Sequence, residues 1–214
     1  MKLNRYFLSG LFVVMILSSS AMAQTNNTIL FDAMSPYEDL TEYALNQNKE
    51  GIDQIIKSLD GLVDKLKNKL SKKSIQNLSE NIEKIKIAKD NVDFPKIALY
   101  AVDSYKAISE ELDTSTLKIP KEVVILDYIG FKLLALLKQQ NVDWNLIKIT
   151  SNEGVSQWEN IKIQTSDKPL RNVMDTAIQG IQVAVNSKNM DMLRFAAQVD
   201  LDLVDLLEGY FEKK

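Results

Sequence analysis

The chain has 214 residues, 26 of them basic and 29 acidic, and contains neither cysteine nor histidine. Those two absences exclude disulfides, thiolate and imidazole nucleophiles, Ser-His-Asp triads and zinc or copper sites of the usual kind. The net charge of −3 argues against general nucleic-acid binding.

Residues 1–23 read as a secretory signal peptide. Lys2 and Arg5 form a basic n-region, Tyr6 to Leu17 is an apolar run, and Ala21-Met22-Ala23 is a small-x-small cleavage pattern. The run is shorter than the roughly 20 residues a transmembrane helix needs. Cleavage after Ala23 is expected to release a periplasmic or secreted chain without a stable membrane span. Lacking cysteine, it cannot carry a lipid at the cleavage site.

Residues 24–34 are expected to form an exposed lead-in to a single domain over 35–214. Ser35-Pro36-Tyr37-Glu38 has the form of a capping box, with Ser35 as N-cap, Pro36 at the first helical position and Glu38 at the third. Ile52, Ile55, Ile56, Leu59, Leu62, Val63, Leu66 and Leu70 follow helical spacing, interrupted upstream by the polar stretch Asn46 to Gly51. Ser71 caps a second helix. Asp93, followed by Pro95, caps a third. Thr114 to Pro120 is the longest loop expected.

The next helix, Lys121 to Gln139, is apolar all round and is expected to be the central helix of the bundle, with self-association as the alternative. Asp143 opens another helix, Ser166 or Asp167 the one after, and the last runs from about Asn189 to Phe211. No stretch alternates with period two over the length of a strand. The expected fold is therefore all-α: an up-and-down bundle of six or seven helices.

Ile82, Ile85, Ile87 and Ala88 match Ile178, Ile181, Val183 and Ala184, and Asp93 aligns with Asp191 in a slightly longer register. This pattern fits two related halves, 35–113 and 120–212. Helical periodicity alone produces the same kind of match.

Candidate site residues follow from residue types in unusual places. Asp127 and Tyr128 interrupt the apolar helix, and a buried carboxylate needs a partner or a purpose. Trp144 and Trp158 share a helical face with small residues between them, which would suit either tight packing or a cavity. Arg194 could clamp Asp127, Asp200 or an anionic ligand. Asp200, Asp202, Asp205 and Glu208 are the densest acidic cluster. Their oxygen-only donors would suit calcium, magnesium or ferric iron, without the spacing of a calcium loop. Lys65, Lys67, Lys69, Lys72 and Lys73 read as a solvated helix end.

With no catalytic motif and no cofactor expected, the sequence favours a non-enzymatic small-ligand-binding or accessory protein of the cell envelope. The ligand is placed between the tryptophan face and the central helix. A protein–protein module built on the apolar helix 121–139 and a carboxylate metal binder are the alternatives.

Overall fold

The computed structural model describes the backbone of residues 7–214 and the side chains of residues 26–214. The expected signal peptide, with its cleavage site, falls outside the described side chains. Eight α-helices are described: α1 Phe7–Leu45, α2 Lys49–Leu66, α3 Lys72–Asp90, α4 Phe94–Ser109, α5 Lys121–Leu137, α6 Trp144–Lys162, α7 Lys168–Asn186 and α8 Met190–Glu212. A short 3-10 turn, Thr114–Thr116, lies in the loop before α5.

The class is all-α, as expected, but the helix count is eight. The additional helix comes from Asn46 to Asn48. Gln47 takes a left-handed conformation at φ 56°, and the Asn48 side chain accepts the Gly51 N–H to start α2. The polar stretch is thus a full turn between two helices.

Two expectations at the N-terminal side are corrected. Residues 26–34 are not an exposed lead-in. They belong to α1, where Asn27, Leu30, Ala33 and Met34 are buried. Ser35-Pro36 does not start a helix but lies within one. Leu30, Ala33, Met34, Tyr37, Leu40 and Ala44 form one continuous stripe facing the core. An interior proline costs about 3 kcal/mol, whereas burying Leu30 and Met34 contributes roughly 1.5–3 kcal/mol each. Tertiary burial therefore overrides the local start signal. Asn27 anchors this turn of α1: its amide donates to Asp113 O and Thr116 Oγ1, and its carbonyl accepts the Asp113 N–H.

The helices pack as two four-membered rings. In the first, α1 packs on α2 and α4, and α3 packs on α2 and α4; in the second, α5 packs on α6 and α8, and α7 on α6 and α8. Contacts of α5 with α4 and α1 join the rings. All but four of the 17 residues of α5 are buried, so it is the central helix. Of its large apolar side chains, Phe131 and Leu134 remain half-buried.

The rings share a residue register. Ser71 caps α3 and Asp167 caps α7, and each helix is 19 residues long. Buried Leu78, Ile82, Ile85 and Ala88 recur in the same positions as Met174, Ile178, Ile181 and Ala184. The following turns also match. Val92 and Lys188 both take positive φ, and Asp93 N–H and Asn189 N–H each bond back five residues, to Ala88 O and Ala184 O. Asp93 therefore corresponds to Asn189, the N-cap of α8, rather than to Asp191. Ile97, Ala101, Ser104 and Ile108 of α4 then fall on Leu193, Ala197, Asp200 and Val204 of α8, all fully buried.

Candidate functional site

A groove of about 470 Å³ opens where α1 of the first ring meets α5 and α8 of the second. Each helix contributes one stripe at helical spacing. These are Glu38, Glu42 and Leu45 from α1; Asp127, Phe131, Leu134 and Lys138 from α5; and Arg194, Gln198, Leu201, Asp202 and Asp205 from α8. The floor is set by a close approach of α5 and α8. A Cβ placed on Gly130 would lie 2.6 Å from Leu201 Cδ2, so only glycine lets that leucine seat there.

Among the described residues the groove is acidic, lined by the carboxyls of Glu38, Glu42, Asp127, Asp202 and Asp205 against Lys138 and Arg194. Asp127 is 8% exposed. Burial pushes its carboxyl well above the usual range, and the negative charges of Glu38, Glu208 and Asp205 push the same way, against the neighbouring Tyr105 hydroxyl. Burial also raises Glu38, with Asp39, Asp205 and Glu42 adding to the shift. Glu208 is pushed up to about 7 by burial, then by Asp205 and Glu38. The groove's two cations are Lys138 and Arg194, and Arg194 is already engaged, donating from Nη1 to Asp191 Oδ1 at 3.0 Å.

Asp127, Arg194, Asp202 and Asp205 thus come together in one place; Glu208 stands beside the groove, where its charge acts on Asp127, and Tyr128, Trp144, Trp158 and Asp200 do not join them. Tyr128 is buried on another side of α5, with Lys106 Nζ 4.6 Å from its ring centroid. Burial, with Asp103, Glu153 and Glu110 nearby, raises its hydroxyl. Trp158 is 1% exposed, and its indole N–H donates to Asp175 Oδ1 at 2.7 Å. Gly154, in the space between the tryptophans, faces Ile129, whose Cγ2 would be 3.2 Å from an added Cβ. The tryptophan face is close-packed core, not a ligand cavity. Trp144 packs at the edge of the core.

The expected acidic metal cluster is also not assembled. Asp200 is fully buried, while Asp202 and Asp205 lie on the opposite, exposed side of α8. Two residues along a helix is a rotation of about 200°, so adjacent aspartates in the sequence diverge. Among the described residues no three carboxylates form a group that could hold a metal ion. The lysines at the α2–α3 junction point outward; Lys67 pairs with Asp64, and Lys69 donates to Asn26 Oδ1 at 2.6 Å.

Glu38, Glu42, Tyr105 and Lys138 are parts of the site that the sequence reading did not select. Glu38 and Glu42 stand four apart on one helix face, a like-charge spacing that weakens an isolated helix. That pairing was a readable signal of an acidic surface with another purpose.

Among the described residues, no helix is long and apolar enough to cross a membrane. No family model, curated protein or solved structure matches this chain.

Proposed function

We propose that this chain is an exported, non-enzymatic binding protein of the cell envelope. It acts after cleavage following Ala23, and its ligand site is the groove between α1, α5 and α8. The ligand class is a small organic cation, an amine with an apolar part. The observation that carries this reading is the unbalanced charge of the groove. Glu38, Asp127 and Glu208 all hold their protons more tightly than ordinary carboxyls, because they are partly desolvated and face one another. A bound ammonium would relieve that repulsion, while Leu45, Phe131, Leu134 and Leu201 offer apolar contact to the rest of the molecule.

The two rings are, in this reading, copies of one four-helix unit. Support comes from the shared caps, the paired positive-φ turns and the constant register from Ser71 and Asp167 onward. The groove lies at the join between the copies, where a duplicated unit creates a surface neither copy has alone.

Ligand-detected NMR with the purified chain tests the assignment. Spermidine, phenethylamine and choline serve as cations, and acetate and inorganic phosphate as anionic controls. Saturable broadening for at least one cation, lost in Asp127→Asn, is expected. Equal responses from anions and cations, or none from any cation, would remove the groove as a cation site.

A further inference from the structure

Asp200 is the one buried carboxyl whose two oxygens both lack a hydrogen-bond partner among the described residues. It is fully buried, and burial alone raises it to about 7, with no neighbouring charge contributing. It sits midway along the inner face of α8. On one side Leu193, Ala196 and Ala197 join the larger core cluster, and on the other Leu203, Val204 and Leu207 join the smaller one. An ionised carboxyl there would have no solvent and no donor.

The first ring shows what this position ordinarily does. Ser104 occupies it in α4, equally buried, and its hydroxyl donates to Tyr100 O at 2.9 Å, one turn back. A protonated carboxyl carries the same kind of O–H donor, and the corresponding carbonyl in α8 is that of Ala196. A carboxylate is an acceptor only and cannot make this bond. The docked helix thus accommodates one protonation state of Asp200 and penalises the other.

We propose that Asp200 is a proton-operated latch for α8, holding the helix in the second ring while the carboxyl is protonated and loosening it when the proton leaves to solvent. The charged groups on the helices packed against α8 are paired elsewhere or lie towards solvent at the helix starts. On α5, Asp127 lies beside Tyr105 and Lys132 pairs with Asp103; Lys121 donates to Glu110 O; Glu122 is only partly buried at the start of that helix. On α7, Asp175 holds Lys162 and Trp158; Lys168 is exposed and Arg171 only partly buried, both in its first turn. None of them acts on Asp200. The latch does not depend on what the groove binds.

The sign follows from linkage. Between the carboxyl's ordinary value and about 7 the folded chain holds a proton that the unfolded chain has lost, so stability falls as pH rises through that window. The test uses the purified chain, its Asp200→Ser variant and the reciprocal Ser104→Asp. Thermal unfolding should show the wild type losing roughly 5–10 °C more between pH 5 and 8 than Asp200→Ser does. Ser104→Asp should gain a similar dependence. Hydrogen exchange, corrected for intrinsic rates, should show protection of α8 falling at least tenfold over the same range in the wild type and staying level in Asp200→Ser. An unchanged slope in Asp200→Ser, or α8 protection that does not respond to pH in the wild type, would overturn the latch. If Ser104→Asp does not fold, those two readouts still decide.

Discussion

The Tyr105 hydroxyl of α4 neighbours the Asp127 carboxyl of α5, where the two four-helix rings meet beside the acidic groove. Both groups are buried, and each is held away from its ionised form by the low polarity around it. The hydroxyl favours charge on Asp127, while burial and three neighbouring carboxyls oppose it.

Tyr105→Phe should therefore act on both stability and titration. Removing the hydroxyl takes a polar neighbour away from a buried carboxyl, a loss of about 1 kcal/mol. Urea unfolding at neutral pH measures it. The carboxyl of Asp127 should also move further up, seen as a shifted side-chain carbonyl titration by NMR.

The helix caps were legible in the sequence because capping is local. Ser71, Asp93, Asp143, Asp167 and Asn189 each accept a backbone N–H two or three residues ahead, as their positions before apolar-periodic segments implied. The start of α1 was not legible. Ser35-Pro36 carries a strong local signal, and only the packed structure shows Leu30 and Met34 reaching the core. The site was half legible. Asp127 stood out as a charge in an apolar helix, Arg194 as a fork able to clamp a carboxylate, and Asp202 and Asp205 as part of an acidic cluster. Which helix faces them is a tertiary fact, so the contribution of α1 through Glu38 and Glu42 was hidden. The tryptophan pair misled for a related reason: small residues between two indoles fit close helix approach as well as a cavity, and Ile129 fills the space.

Trp158 separates the core from the groove experimentally. Trp158→Ala should cost about 3–5 kcal/mol, because it empties a fully buried site. The milder Trp158→Phe should keep the fold and leave cation binding unchanged, measured by calorimetry. Loss of binding in a well-folded Trp158→Phe would return the ligand to the tryptophan face.

Gly130 tests the groove floor. In Gly130→Ala the new methyl would meet Leu201 Cδ2 and Cγ, at 2.6 and 2.7 Å from its ideal place, so the leucine must move. Overpacking of this kind costs typically about 1–3 kcal/mol. Because Leu201 lines the groove, affinity for a cation should change along with stability. Thermal unfolding and calorimetry on the same sample would show both.

Glu208, beside the groove, gives a second pH effect, set first by its burial and then by the charges of Asp205 and Glu38. Glu208 rises from 4.5 to about 7 on folding. The folded chain therefore retains a proton between those values that the unfolded chain loses, and stability declines as pH climbs through that interval. Glu208→Gln should remove part of the decline. Raising the salt concentration at pH 8 should raise the unfolding temperature of the wild type by screening the partly exposed charges, an effect reduced in Glu208→Gln.

The most direct test of the groove as a cation site is the proton balance of binding. Calorimetry near neutral pH, repeated in buffers of different ionisation enthalpy, counts protons exchanged when a polyamine such as spermidine binds. A cation seated among Glu38, Asp127 and Glu208 favours their charged forms, so binding should release protons to the buffer, and Asp127→Asn should bind more weakly and release fewer. Binding with no proton release, or with uptake, would contradict the placement of the cation among these carboxyls.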